Sequence, residues 1–177
     1  MIKKLPFSIF HLPFADKKGF TIIELLIYLG LFTMFLTVTT TLFASGLDAS
    51  SQSEAGSAIE QDGRFIISRL SYDIKRSQSI VVPSTLGGQS SSLQLTIASQ
   101  NNAYSIDQNH NFILTNNLGV NALNSYDSSV SSFLVTRLGN VGKVEDTLKI
   151  IITLQSKTKT VTGVKTKTFQ TTVAKRR

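Results

Sequence analysis

The 177-residue chain has no cysteine and no tryptophan, and only three prolines and two histidines. Without cysteine there is neither a disulfide framework nor a thiolate metal site. His11 lies in the first nineteen residues, and His110 stands in the turn-like QNHN. A lone histidine in such a turn reads as a loop residue rather than a base or a ligand. HExxH, GxSxG and a glycine-rich phosphate loop are all missing, so the constellations that hydrolytic, metal and nucleotide chemistry need are not there. The acids Asp107, Asp127, Glu145 and Asp146 are too scattered in sequence to make an acidic calcium cluster. The chain therefore reads as a non-enzyme with no cofactor.

Charge is unevenly placed. The formal total is +7, made of +3 in residues 1–19, −3 in residues 20–142 and +7 in residues 143–177. Between Phe20 and Ala44 the only side chain charged at neutral pH is Glu24. Twenty-five helical residues reach about 37 Å, enough for a hydrocarbon core of about 30 Å. A carboxylate within such a span costs about 2.5–3.5 kcal/mol and points to a function. Lys3, Lys4, Lys17 and Lys18 flank the run, which places the N-terminus in the cytoplasm and the chain beyond Ala44 outside. A conventional secretory signal fits less well. Its apolar region, Leu5–Phe14, is broken by Pro6, His11 and Pro13, and no small-x-small cleavage site follows.

The stretch Lys17-Lys18-Gly19-Phe20-Thr21-Ile22-Ile23-Glu24-Leu25-Leu26 closely resembles the processing site of type IV prepilins and type II secretion pseudopilins. The shared pattern is a basic leader, a glycine before the cut, an aromatic residue after it, and a glutamate fifth in the mature chain. The resemblance implies cleavage between Gly19 and Phe20 by an integral-membrane prepilin peptidase, and N-methylation of Phe20 by a methyltransferase. It implies as partners other pilin or pseudopilin subunits, an inner-membrane assembly platform and membrane lipid. It gives Glu24 an assembly role, facing the freed amine of Phe20 on a neighbouring subunit. The bland alternative is an uncleaved signal anchor, which leaves Glu24 without a partner.

A long helix is expected from Phe20 to about Ser77. Within it Thr37, Val38, Thr39, Thr40 and Thr41 form a β-branched run of low helix propensity. Many pilins carry a proline near this level, which implies a segment able to melt on assembly; the alternative is that the hydroxyls bond back and the helix stays whole. Beyond Leu47 the helix becomes amphipathic. Ile59, Ile66, Leu70 and Ile74 recur in steps of seven, four and four, with Phe65 and Ile67 beside them. Glu60, Asp62, Arg64, Arg69, Asp73 and Lys75 are assigned to the opposite, solvated side. Gly56 and Gly63 weaken the segment without ending it, and Ser77–Ser79 with Pro83 give the stop.

The rest reads as short strands. Ser79–Val82, Leu93–Ile97, Val130–Leu138, Leu148–Leu154 and the closing Phe169–Val173 alternate or run apolar, and Ala103–Asp107 with Phe112–Thr115 make a hairpin around QNHN. Gln100–Ser129 as a whole is poorly patterned and reads as an irregular insertion. The fold class is α+β and pilin-like, one long N-terminal helix against a C-terminal antiparallel sheet. Its parts are a leader (1–19), an apolar half-helix (20–46), an amphipathic half-helix (47–78) and a β-rich extracytoplasmic head (79–177). The order helix, DIKRSQSI, strands resembles J-type minor pseudopilins and the equivalent minor pilins, with Asp62, Arg64-Phe65, Leu70 and Asp73-Ile74 fitting the character of their helix.

Lys157, Lys159, Lys165 and Lys167 alternate with uncharged residues and are expected to share one strand face, with Arg176 and Arg177 beyond. Such a stripe can meet DNA phosphates or another anionic surface. Phe169 is the single aromatic nearby, so stacking on single strands is unsupported. The plainer reading is a solvated edge strand whose lysines block stray pairing. The functional expectation is a minor pilin or pseudopilin subunit, a single-pass inner-membrane protein that joins a filament, with an initiating tip complex as its expected place. The rivals are an uncleaved membrane-anchored β-rich adhesin or binding module, and a DNA-uptake pilin.

Overall fold

A computed structural model describes residues 19–138, 146–160 and 163–175. The leader before Gly19, the break Gly139–Gly142, Glu145, and the terminal Arg176 and Arg177 lie outside them. The chain divides into two units after Ala44. One helix, α1 (Ile22–Arg76), supplies residues to both.

In the first unit α1 starts on a side-chain cap. Thr21 Oγ1 accepts the backbone N–H of Glu24 at 3.3 Å, the bond that satisfies an orphan donor of a helix start. The acid in the first turn suits the positive end of the helix dipole. The threonine run does not break the helix. Thr37, Thr39, Thr40 and Thr41 each donate to the carbonyl four residues back at 2.8–2.9 Å. Thr33 donates to the Gly30 carbonyl, three residues back, at 2.9 Å. In an apolar surround this back-bonding removes the hydroxyls' need for water. Large apolar side chains from Phe20 to Phe43 are all exposed.

In the second unit the remaining part of α1 is followed, among the described residues, by nine strands. They are β1 (Ser79–Val82), β2 (Gln89–Ser90), β3 (Leu93–Ile97), β4 (Gln100–Ile106), β5 (Phe112–Asn116), β6 (Gly119–Ala122), β7 (Ser128–Leu138), β8 (Thr147–Thr160) and β9 (Gly163–Ala174). They form two antiparallel sheets, β1-β3-β4-β5-β6 and β2-β7-β8-β9, not the one sheet expected. The irregular insertion expected at Gln100–Ser129 is likewise corrected. It contains β4, β5 and β6, paired in register from Ala103↔Thr115 to Asn116↔Gly119. Side chains complete that ladder: Asn124 Oδ1 accepts the N–H of Phe112 at 2.7 Å, and Asn124 Nδ2 donates to the carbonyl of Ser128 at 2.8 Å.

The core gathers the expected helix stripe, Ile59, Ile66, Leu70 and Ile74, against Leu93, Leu95, Tyr104, Phe112, Phe133, Ile150, Ile152 and Leu154. Ile67 packs at its margin, whereas Phe65 is half exposed. Alternation accounts for β8: Leu148, Ile150, Ile152 and Leu154 are all buried.

Two acids assigned to the solvated side of α1 are on the buried side. Asp62 and Asp73 each lie three residues from a core position, so they fall on the same face. Asp62 Oδ2 accepts from Ser125 N (2.9 Å), Ser125 Oγ (2.7 Å) and Ser128 Oγ (2.5 Å). Asp73 is fully buried. Its Oδ2 accepts from Arg69 Nε at 2.8 Å and from the Tyr104 hydroxyl. Arg76 Nε lies 3.0 Å from Oδ1, an ion pair without a hydrogen bond. Burial and the adjacent Asp73 carboxylate push the Tyr104 phenol well above its usual range.

Gly63 permits the closest approach. A Cβ there would meet the Phe169 ring of β9 at 2.2–2.6 Å. Gly63→Ala is expected to lower stability by about 1–3 kcal/mol, because the ring must leave its place. Adding Phe169→Leu is expected to recover part of the loss, read by thermal unfolding of the purified chain in detergent. Asp73→Ala removes the common acceptor of the Arg69 guanidinium and a buried phenol, and the ion-pair partner of Arg76. It is expected to cost about 3 kcal/mol, against about 1.5 kcal/mol for Tyr104→Phe, in the same measurement. A smaller loss for Asp73→Ala than for Tyr104→Phe contradicts this account.

Candidate functional site

The first candidate site lies wholly in the first unit, at the start of α1. Gly19 and Phe20 precede the helix and are exposed, Phe20 at 74%. A peptide bond in that setting is open to a peptidase, which needs an extended, reachable backbone. Among the described residues no heavy atom lies within 4 Å of where a Gly19 Cβ would be, so none of them demands glycine there. One turn on, Glu24 accepts a hydrogen bond from the Tyr28 hydroxyl at 3.2 Å. The Phe20 ring meets the Tyr28 ring edge-on at 6.1 Å. Tyr28 thus touches both residues singled out from the sequence, although nothing in the sequence reading marked it. Its (i, i+4) spacing from Glu24 was the signal. Glu24 has no cationic partner among the described residues.

The helix that follows is long and apolar enough to cross a membrane. Its most apolar 18-residue window has a mean hydropathy of 2.0 and none of it is buried. A soluble core helix hides its apolar surface, but this window exposes all of it.

The second candidate site lies in the second unit, on β8 and β9. The four lysines do not share one face. Pairing sets Leu154 opposite Lys167 and Lys159 opposite Val164. Leu154 is buried, so Lys167 and Lys165 point to the helix side of the sheet, and Lys159 points away. Lys165 Nζ donates to the Gln52 carbonyl of α1 at 2.6 Å, beside Gly56. Lys167 pairs with Glu60. These groups line a cleft of about 480 Å³ between α1 and β9. A register irregularity between Gln155 and Lys159 separates the other two lysines from this arrangement. There the Lys157 N–H donates to the Asp127 carbonyl at 2.9 Å, and its ammonium lies 5.3 Å from the centre of the Tyr126 ring.

His110 sits in the β4–β5 turn with φ 60°. Asp107 organises that turn, accepting from Asn109 N at 2.8 Å and Asn111 N at 2.7 Å. These bonds, the Asn111 backbone bond foremost, hold the Asp107 carboxyl below its usual range. Among the described residues no three His, Asp or Glu side chains converge as metal ligands.

The Glu60–Lys167 contact is pH-dependent with a definite sign. The hydrogen bond from Lys167, then that from Arg64, hold the Glu60 carboxyl below its ordinary value of 4.5. A depressed carboxylate contributes fully above the unfolded value and loses that contribution as pH falls through the folded one. Amide exchange in β9 around Lys165–Lys167, corrected for intrinsic rates, is therefore expected to accelerate between about pH 5 and pH 3. In Glu60→Gln it is expected to be fast already at pH 5 and flat below.

Comparison of the chain with protein-family models, with curated proteins and with solved structures returns no match.

Proposed function

We propose that the chain is a minor pilin or pseudopilin subunit, processed between Gly19 and Phe20 and assembled through α1 into a type IV pilus or a type II secretion pseudopilus. One observation carries the reading. An exposed Gly19–Phe20 bond is followed at once by a capped helix whose first part, to Ala44, is an exposed apolar run with a single carboxylate, Glu24, which among the described residues has only a neutral phenol for company.

A carboxylate in hydrocarbon is unfavourable until a cation meets it. Cleavage before Phe20 creates such a cation, an α-amine with an aqueous pKa of about 7.7–8.0. Methylation keeps its charge. In a filament the Glu24 of one subunit meets the Phe20 amine of the next, in a low-dielectric surround that strengthens the attraction and fixes the stagger between subunits. Tyr28 holds the carboxylate meanwhile, which limits the penalty of waiting in the bilayer. In this reading the leader stays in the cytoplasm, the second unit is extracytoplasmic, and the partners are a prepilin peptidase and methyltransferase, sibling subunits, the inner-membrane assembly platform and lipid. The role is structural, in starting or capping a filament at its tip.

Mass spectrometry of the chain from a host carrying the assembly system is expected to show loss of residues 1–19 and the added mass of one N-methyl group. Retention of the leader contradicts the proposal and favours an uncleaved anchor. Glu24→Gln keeps nearly the same shape and removes the charge. It is expected to be processed normally yet to drop out of sheared filaments or membrane-bound stubs by at least about tenfold, the weight of about 1.4 kcal/mol. Wild-type incorporation of that variant refutes the charge-pairing mechanism.

A further inference from the structure

Of the strands at the outer positions of the two sheets, three carry a device against stray pairing. β1 has a register shift between Ile80 and Val82 and runs into Pro83. β2 is two residues long, and β9 carries Lys165 and Lys167. β6 has no such device. Its sequence, Gly119-Val120-Asn121-Ala122, contains neither charge nor proline, pairs with β5 without a bulge, and is exposed at every residue, Val120 at 62%.

The phase of the β5–β6 ladder fixes which backbone groups of β6 are free. The Leu123 N–H donates to the Phe112 carbonyl at 2.8 Å, so these two residues form a hydrogen-bonded pair. Such pairs recur at every second residue of an antiparallel ladder, which makes Leu114–Asn121 and Asn116–Gly119 the next two. The N–H and C=O of Val120 and of Ala122 therefore turn away from β5. Among the described residues nothing pairs with these four groups. Backbone groups so placed are met by water or by another extended strand.

The four groups are complementary to themselves. When a second β6 lies antiparallel with Asn121 opposite Asn121, Val120 of each copy faces Ala122 of the other, and each of those pairs makes two N–H···O=C bonds. All four groups of both strands are then used. A slip of two residues in either direction carries Val120 or Ala122 beyond the end of the facing strand. Charge points the same way. The strands β1, β3, β4, β5 and β6 contain no charged residue, whereas every charged residue of β7, β8 and β9 is cationic. Two copies meeting at the second sheet set like charges together, and two meeting at β6 do not.

We propose that β6 is a dimerisation edge, which joins two copies of this chain by an antiparallel β6–β6 pair and makes one continuous sheet of their two five-stranded sheets. The contact uses the second unit alone and goes beyond the filament reading, on which it does not rest.

The test uses the full chain in detergent micelles. The chain has no cysteine, so each variant carries a single thiol. Across the two-fold axis the Asn121 pair is not hydrogen-bonded and its Cα atoms lie about 4.5 Å apart, within the range of about 4.4–6.8 Å that a disulfide spans. Asn121→Cys is expected to give a disulfide-linked dimer on mild oxidation. Leu118→Cys, at a position 85% exposed, is expected to link about tenfold more slowly or less, because the axis sets the two positions about 20 Å apart. Sedimentation equilibrium is expected to show a monomer–dimer equilibrium that Val120→Lys weakens about tenfold or more, with the thermal unfolding midpoint unchanged. A monomer at every concentration, with Asn121→Cys unlinked, overturns the proposal and leaves the edge to a strand of another protein. A dimer that Val120→Lys does not weaken, or Leu118→Cys linking as fast as Asn121→Cys, overturns it in favour of association through the apolar run of α1.

Discussion

An aliphatic stripe holds a helix against a sheet but does not say where along the sheet it must stop. Burying Ile59, Ile66, Leu70 and Ile74 contributes about 6–12 kcal/mol as an upper estimate, and a slip of one turn would keep much of that. Asp62 and Asp73 remove the freedom. Each is a carboxylate on the buried face that tolerates only one set of partners: the donors Ser125 and Ser128 for the first, the donors Tyr104 and Arg69 with the Arg76 cation for the second. Moving the helix by one turn would strand both acids, at a cost of several kcal/mol each. The register between α1 and the strands is therefore set by polar groups, and the lysine clamps on Gln52 and Glu60 inherit it. Gly63 adds a steric stop, since Phe169 fits only over a residue without a side chain.

Much of this fold was legible in the residues, and the rest was not for identifiable reasons. β1, β3 and β8 declare themselves by alternation, and α1 by its stripe, because one side of each meets a dry core. β6 does not, because all four of its residues are exposed and its neighbours pair through the Asn124 amide, which no periodicity records. The division into two sheets depends on which strand pairs with which. β2, two residues long, joins β7 while β1 joins β3, and neither alternation nor turn residues encode that choice. Asp62 and Asp73 were misplaced because charge was taken as a mark of solvent. Their spacing from Ile59 and Leu70 already put them on the buried face. The lysine stripe failed for a related reason. Alternation is kept within each strand, but antiparallel pairing and the irregularity after Gln155 send the two halves to opposite faces.

At the start of α1 the position is reversed, because the sequence speaks more plainly than a single chain can. Gly19 and Phe20 lie exposed before the helix, and Glu24 lies in its first turn. Among the described residues the only group that meets the Glu24 carboxylate is the Tyr28 hydroxyl. A neutral phenol can accept part of a carboxylate's demand for hydrogen bonds, but it returns little of the electrostatic free energy lost on leaving water. That deficit distinguishes Glu24 from Asp73. Asp73 is buried among two cations and a phenol inside its own fold, whereas Glu24 is carried on an apolar surface with its charge unmatched. A carboxylate so placed is stable in hydrocarbon only when a cation reaches it. The same logic explains why the threonines of the segment bond back to their helix, which satisfies their hydroxyls internally.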